Sequence, residues 1–193
     1  MKLLSSYILN VFFFLTTFVH IATAFSFHQK PFQMQATHEP RLFELLAGSR
    51  DCNIFSDILM QFPELVERLQ SSNENTTLLV PTDLAFQNMK VKPWKLDTLE
   101  AKFEMPSEPV HITEDQAQGN LHRFIKSHFI SASPSHGNGE YKSLSGSTIN
   151  VIKQKDNLYL DDSVQVLSIK LASNGEMWIL NNTLSAPGVR KQV

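Results

Sequence analysis

The stretch Thr77-Leu78-Leu79-Val80-Pro81-Thr82-Asp83-Leu84-Ala85-Phe86 decides how the rest of the chain is read. Its first four residues are mostly apolar and β-favouring, which predicts a short buried strand, and Pro81 closes that strand by removing a ladder donor. Thr82 or Asp83 then caps a short helix, its side-chain oxygen accepting an orphan backbone N–H, and Ala85 and Phe86 turn inward one helical step later. The segment is a strand, a stop, a cap and an aromatic anchor. It holds no nucleophile and no base.

Upstream of it, Asn53 stands where it can cap a helix carrying Ile54, Phe55, Ile58 and Leu59, and Pro63 either stops that helix or starts the next at its first turn. Leu65, Val66 and Leu69 make this next helix amphipathic. Farther back, Leu42, Leu45 and Leu46 recur at helical spacing before Gly48, which is placed to end the turn. Downstream comes Val91-Lys92-Pro93-Trp94-Lys95. Lys90, Lys92, Lys95 and Lys102 are interleaved with Asp97, Glu100 and Glu104, so they read as a solvated loop face and not as a patch for a polyanion.

Thr113-Glu114-Asp115-Gln116 is a capping box, and the helix it opens carries Ala117, Leu121, Phe124, Ile125, His128 and Phe129 on one stripe. His128 therefore lies on the buried face, where it reads as an imidazole bonded to nearby backbone, since no Cys, Asp or His stands at a metal-like spacing from it. Ser133-Pro134-Ser135-His136-Gly137-Asn138-Gly139 reads as a flexible connector. Strand-like runs follow at Thr148 to Lys153, Asn157 to Leu160, Val164 to Leu171 and Glu176 to Leu180. Asn174-Gly175 between the last two predicts a tight hairpin turn with positive φ at both residues.

These residues together resemble the fasciclin domain family. Its first signature is a strand running into a Pro-Thr-Asp turn and an Ala-Phe pair, preceded by short helices such as the Leu-rich one and the Ile-Phe-Ser-Asp-Ile-Leu run. A histidine at the end of a Leu-rich helix is a further landmark. The second signature is an alternating strand, an Asn-Gly turn and an aromatic-containing strand leading to Leu184 and Pro187. Lys92-Pro93-Trp94 is similar to the fungal branch, with Lys95 where an acidic residue is expected, and Asn181-Asn182-Thr183 stands where an acidic or Gly-containing turn is common.

The likeness runs from about Arg41 to Pro187 and implies one α+β domain over 40–188, a β-sandwich or wedge of mostly antiparallel strands with short helices packed on one side. Thr77, Pro81, Thr82, Asp83, Phe86, His128, Asn174 and Gly175 would be its structural signature. The likeness also implies a non-catalytic role in adhesion or protein interaction, with a protein or glycan partner at a cell surface or in a lumen. A second reading is a luminal vacuolar or endomembrane protein acting in trafficking or membrane fusion. A fold does not fix a function, so both are expectations by analogy.

The 193 residues suit a single domain with a real core, and the formal charge of −2, with Lys and Arg scattered, excludes the electrostatic footprint of a nucleic-acid binder. Residues 1–24 have a basic start, an apolar middle and the small-x-small end Ala22-Thr23-Ala24, which predicts a secretory signal peptide; an uncleaved anchor is the competing reading. No second apolar run follows, so no membrane span is expected after cleavage. Residues 25–39 read as an extended lead-in and 189–193 as a short tail without a lipid-anchor signal or retention tag.

Cys52 is the only cysteine, so no internal disulfide is possible and the thiol reads as a small buried apolar group. Asn75 and Asn181 head glycosylation sequons; Asn75 lies in a polar run, whereas Asn181 ends an apolar strand that can hide it. Catalytic chemistry is not written in the chain. Ser143-Leu144-Ser145-Gly146-Ser147 lacks the first glycine of a nucleophile elbow, and Asp161-Asp162 reads as a solvated turn between strands. No enzyme, cofactor or metal is expected.

Overall fold

Two strands carry uninterrupted apolar runs, Leu78 to Pro81 and Met177 to Leu180, and they lie side by side within the sheet. In a computed structural model, which describes residues 39–95, 112–134 and 136–184, Thr76–Pro81 (β1) runs parallel to Gly175–Leu180 (β7), pairing from Thr76 with Gly175 to Pro81 with Leu180. Every residue of β1 is buried. A strand covered on both faces needs no polar alternation, which is why Leu78-Leu79-Val80 reads as a continuous apolar run.

The remaining strands are Phe129–Ile130 (β2), Gly139–Lys142 (β3), Thr148–Gln154 (β4), Asn157–Leu160 (β5) and Val164–Ala172 (β6). They form a seven-stranded sheet in the order β2-β1-β7-β6-β5-β4-β3, antiparallel everywhere except between β1 and β7. Its outer strands curl toward each other: Ile130 bridges Ser143, and Leu144 N–H donates to the Phe129 carbonyl at 2.9 Å. The sheet is thus a nearly closed, wedge-like wrap.

The wrap encloses one apolar cluster and covers another. Inside it, Leu79, Trp178 and Leu180 meet Ile149, Val151, Leu158, Leu160, Val164 and Val166. Thr148 and Asn150 on the same β4 strand point outward, giving the alternation of a strand buried on one face. On the opposite face of β1 and β7, Leu78, Val80, Met177 and Ile179 meet the helices.

These helices are Leu42–Ala47 (α1), Asn53–Leu59 (α2), Pro63–Gln70 (α3), Asp83–Gln87 (α4) and Glu114–Ser127 (α5), with 3-10 turns at Arg50–Cys52 and Pro93–Lys95. Leu42, Leu46, Phe55, Leu59, Leu65 and Leu69 supply their buried stripe. Pro63 is the first residue of α3. The capping box forms: Gln116 N–H donates to Thr113 Oγ1 at 3.3 Å, and Thr113 N–H to Gln116 Oε1 at 3.0 Å.

Several local expectations are corrected. α5 ends at Ser127, so His128 is its C-cap and Phe129 already belongs to β2. β2 and β3 were not read as strands, because a two-residue strand carries no period and Gly-Glu-Tyr-Lys is polar. Asn174 lacks positive φ: Ala172 pairs with Gly175, so Ser173 and Asn174 are the turn residues, and Gly175, at φ +144°, is the one in the glycine-favouring region. The expected leader 1–24, the tail 189–193, Lys102 and Pro187 lie outside the described residues. No described helix is long and apolar enough to cross a membrane.

Candidate functional site

The strand β1 delivers Pro81, Thr82 and Asp83 to a point where two helices begin, and each of the two polar residues serves a different one. Thr82 Oγ1 accepts from Ala85 N–H at 3.3 Å and so caps α4, its own helix. The Asp83 carboxylate reaches back to α2, accepting from Ile54 N–H at 2.8 Å and from the Asn53 side-chain amide at 3.3 Å. Asn53 was expected to cap α2; it is instead the first residue of that helix, and its side chain bonds the Arg50 carbonyl as well as Asp83. The negative charge at both N-termini also matches the helix dipoles.

Behind this turn, Ala85 and Phe86 are buried, and Phe86 joins a cluster of four rings. Phe86 meets Phe55 at 6.5 Å and Phe124 at 5.7 Å between ring centroids, while His128 lies 5.5 Å from Phe55 and 4.5 Å from Phe124. His128 is fully buried. Its Nδ1–H donates to the Phe124 carbonyl at 2.8 Å, Ser127 Oγ donates to the same oxygen at 2.6 Å, and the His128 carbonyl accepts from Leu79 N–H at 2.9 Å. Burial pushes its pKa down to about 4, against the raising effect of the Phe124 carbonyl, so the ring is neutral at physiological pH.

At the other end of β1, Asn174 is buried and joins three segments. Its Oδ1 accepts from Leu42 N–H at 2.9 Å, at the start of α1. Its Nδ2 donates to the Leu69 and Ser71 carbonyls at 2.9 and 2.8 Å, at the end of α3, and its own carbonyl accepts from Thr76 N–H at 3.1 Å. A Cβ on Gly175 would overlap the Thr76 carbonyl oxygen, so only glycine allows β7 to start this close to β1.

The thiol of Cys52 is buried beside Asp83, and its pKa is raised to about 11, by burial first and then by the negative charges of Asp83 and Asp51. A thiol held protonated is a poor nucleophile. Arg68 spends its guanidinium on Glu74 at 2.7 Å, Thr76 Oγ1 at 2.9 Å and Ser131 Oγ at 3.2 Å. The neighbouring cleft of about 330 Å³ is lined by Glu64, Glu67, Arg68, Ser71 and Glu74, of which Glu74 is taken up by Arg68. His122 is not part of the His128 cluster: it stacks on Phe62 at 4.9 Å and pairs with Glu64 at 2.7 Å. Glu64 is held below its usual pKa by a backbone hydrogen bond first and by His122 second.

The surface loops also differ from expectation. Lys92 is half-buried and donates to the Phe86 carbonyl at 2.7 Å, closing the last turn of α4, so it is no part of a merely solvated face. Beside it Trp94 is 38% exposed, and Leu84 on α4 is 63% exposed. Asn120, which the sequence did not single out, is buried on α5 and donates to the Trp94 carbonyl at 3.4 Å, tying that turn down.

On either side of Ser135, which lies outside the described residues, the expected connector is tied down at two points: Ser133 Oγ donates to Asn75 Oδ1 at 2.9 Å, and Asn138 Oδ1 accepts from Lys153 N–H at 2.7 Å. His136 pairs with Glu176 at 2.8 Å, and Trp178 Nε1–H donates to the same carboxylate oxygen at 2.8 Å. Asn75 and Asn181 are both exposed, so the strand does not hide Asn181; its Oδ1 accepts from Gln165 N–H at 2.8 Å. Asp161 and Asp162 form the turn between β5 and β6, both at positive φ.

A curled, mostly antiparallel sheet with helices on one face, held by a Pro-Thr-Asp double cap and a buried Asn-Gly turn, defines the class of fold. The fasciclin domain family model matches residues 50–186, and this chain belongs to the fasciclin domain family. It is similar to the FAS1 domain-containing protein mug57 of Schizosaccharomyces pombe, 49% identical over 183 residues, with 95% of this chain and 97% of that protein covered. It is also similar to a FAS1 domain-containing protein of Aspergillus fumigatus, 34% identical over 152 residues, which cover 77% of this chain and 65% of that protein. Among solved structures, the FAS1 domain pair of the insect cell adhesion molecule fasciclin I aligns with a TM-score of 0.46 at 11% identity, covering 71% of this chain and 46% of that one.

Proposed function

We propose that this chain is a non-catalytic interaction module of the secretory pathway that attaches to protein or glycan at a cell surface. The observation that carries the proposal is a division between committed and uncommitted groups. The signature residues Thr82, Asp83 and Asn174, and His128 through Nδ1, bond backbone groups that hold the core. The large apolar side chains of Trp94, on a 3-10 turn, and Leu84, on α4, are instead presented outward, and recognition residues commonly sit in or beside loops. The Asn75 and Asn181 sequons and the leader-like residues 1–24 suit this setting.

The test is binding of protein-coated beads to cell walls purified from the organism that makes the chain. Trp94→Ala with Leu84→Ala is expected to abolish binding while the melting temperature stays within about 2–4 °C of wild type. Undiminished binding by this variant would refute the assignment. N-terminal sequencing of secreted material is expected to start at Phe25, and an intact Met1 on membrane-associated protein would favour an anchor.

A further inference from the structure

The two glycosylation sequons are alike in the sequence and opposite in the fold. Transfer of an N-glycan joins the Asn Nδ2 to C1 of an oligosaccharide, expels its lipid pyrophosphate and releases one Nδ2 proton, and the acceptor is selected by the hydroxyl two residues on. A folded acceptor must therefore offer the whole tripeptide and not the asparagine alone.

At Asn75 the asparagine is exposed and the rest of the tripeptide is not. Thr76 and Thr77 open β1 and are both fully buried. Thr76 N–H donates to the Asn174 carbonyl at 3.1 Å, and its Oγ1 accepts from Arg68 Nε at 2.9 Å. Thr77 lies between Ile130 of β2 and Glu176 of β7, and its hydroxyl donates to the Ala132 carbonyl at 2.6 Å. Releasing that hydroxyl means withdrawing β1 from between its two neighbours. Opening a core strand has a free energy close to that of global unfolding.

The second tripeptide, Asn181-Asn182-Thr183, lies just beyond the end of β7. Asn181 and Asn182 are exposed and Thr183 is half-buried. Asn181 holds to the sheet through Gln165, donating its N–H to the Gln165 carbonyl at 3.1 Å and accepting the Gln165 N–H on Oδ1 at 2.8 Å. Asn182 Oδ1 accepts from Thr183 N–H at 2.9 Å, a bond internal to the tripeptide. These contacts use the Asn181 amide through its oxygen and leave Nδ2 out of them. A strand end frays at little cost, so this tripeptide can lift from the sheet while the core stays intact.

We propose that Asn181 is the acceptor that the folded domain offers to a glycosyl transfer, and that Asn75 is an acceptor only while β1 stands outside the sheet. The order of the chain accounts for both states: β7, which closes over Thr77, is the last strand of the domain, so the Asn75 tripeptide is made well before the strand that buries it. The meaning of this in a cell rests on the secretory reading above.

The test uses the purified, unglycosylated full-length chain with a single-subunit oligosaccharyltransferase and a lipid-linked oligosaccharide, with peptide mass spectrometry to locate the product. The folded chain is expected to be modified at Asn181, and at Asn75 at least about a hundredfold more slowly. In Gly175→Ala, whose new methyl collides with the Thr76 carbonyl and keeps β1 from β7, the Asn75 rate is expected to rise to within about tenfold of the Asn181 rate. Equal rates at the two sites in the folded chain overturn the proposal. So does a folded chain modified at neither site, and so does a Gly175→Ala chain that is unfolded by circular dichroism and still unmodified at Asn75. No cell is involved, so these outcomes are independent of the secretory reading, which is judged by where the chain is found.

Discussion

The two signatures of this domain are the two ends of one structural element, the parallel pair β1–β7, and they are secured in different ways. At the end marked by Pro81 and Leu180, two partly exposed side chains, Thr82 and Asp83, each cap a separate helix. At the end marked by Thr76 and Gly175, one buried side chain, Asn174, holds the start of α1 and the end of α3 at once. The lesson concerns solvent. Backbone groups at the Asp83 end can turn to water if their partner is lost, whereas those around Asn174 are left unpaired in the interior. The buried end should therefore be the fragile one.

Gly175→Ala attacks that end most severely, because the new methyl must displace the Thr76 backbone at a positive φ. It is expected to cost upwards of about 4 kcal/mol and to leave little folded protein by circular dichroism. Asn174→Ala strands three backbone partners, two of them buried, and is expected to lower the unfolding free energy by about 3 kcal/mol in urea melts.

Midway along the pair, His128 holds Leu79 and gives a pH signature. Its folded pKa, about 4, lies below the ordinary value of 6.5, so its contribution is complete above about 6.5 and is lost as pH falls through the folded value. The loss totals roughly 3 kcal/mol across that window and should be absent in His128→Gln. At the other end, Asp83→Ala is expected to cost only about 1–2 kcal/mol and Thr82→Ala about 1 kcal/mol. A cost at Asp83 equal to that at Asn174 would erase the distinction between the ends. The smallest effects are in the adjoining loop: Lys92→Ala loses the bond to the Phe86 carbonyl and about 1 kcal/mol, whereas Lys90→Ala, at an exposed position, stays within about 0.5 kcal/mol.

What could be read from the sequence was what is local. The β1 stop, the Thr82 cap, the Thr113–Gln116 box and the buried Phe86 all follow from spacings of a few residues, and the structure has each of them. What escaped was long-range. Nothing near Asp83 announces that its carboxylate serves a helix 29 residues earlier, nor does Asn174 announce partners more than 100 residues away; its pairing with glycine suggested a turn residue instead. Lys92 and Asn120 were invisible for another reason: their partners, at Phe86 and Trp94, are backbone carbonyls that any sequence would present.

The division between a core-holding signature and an outward contact surface is tested most directly by binding of Asp83→Ala to purified cell walls, at a temperature where the variant is fully folded. Asp83→Ala is expected to melt below wild type, in keeping with a loss of about 1–2 kcal/mol, yet to bind as wild type does. A variant that melts like wild type and fails to bind would make Asp83 part of the contact site and would contradict the division.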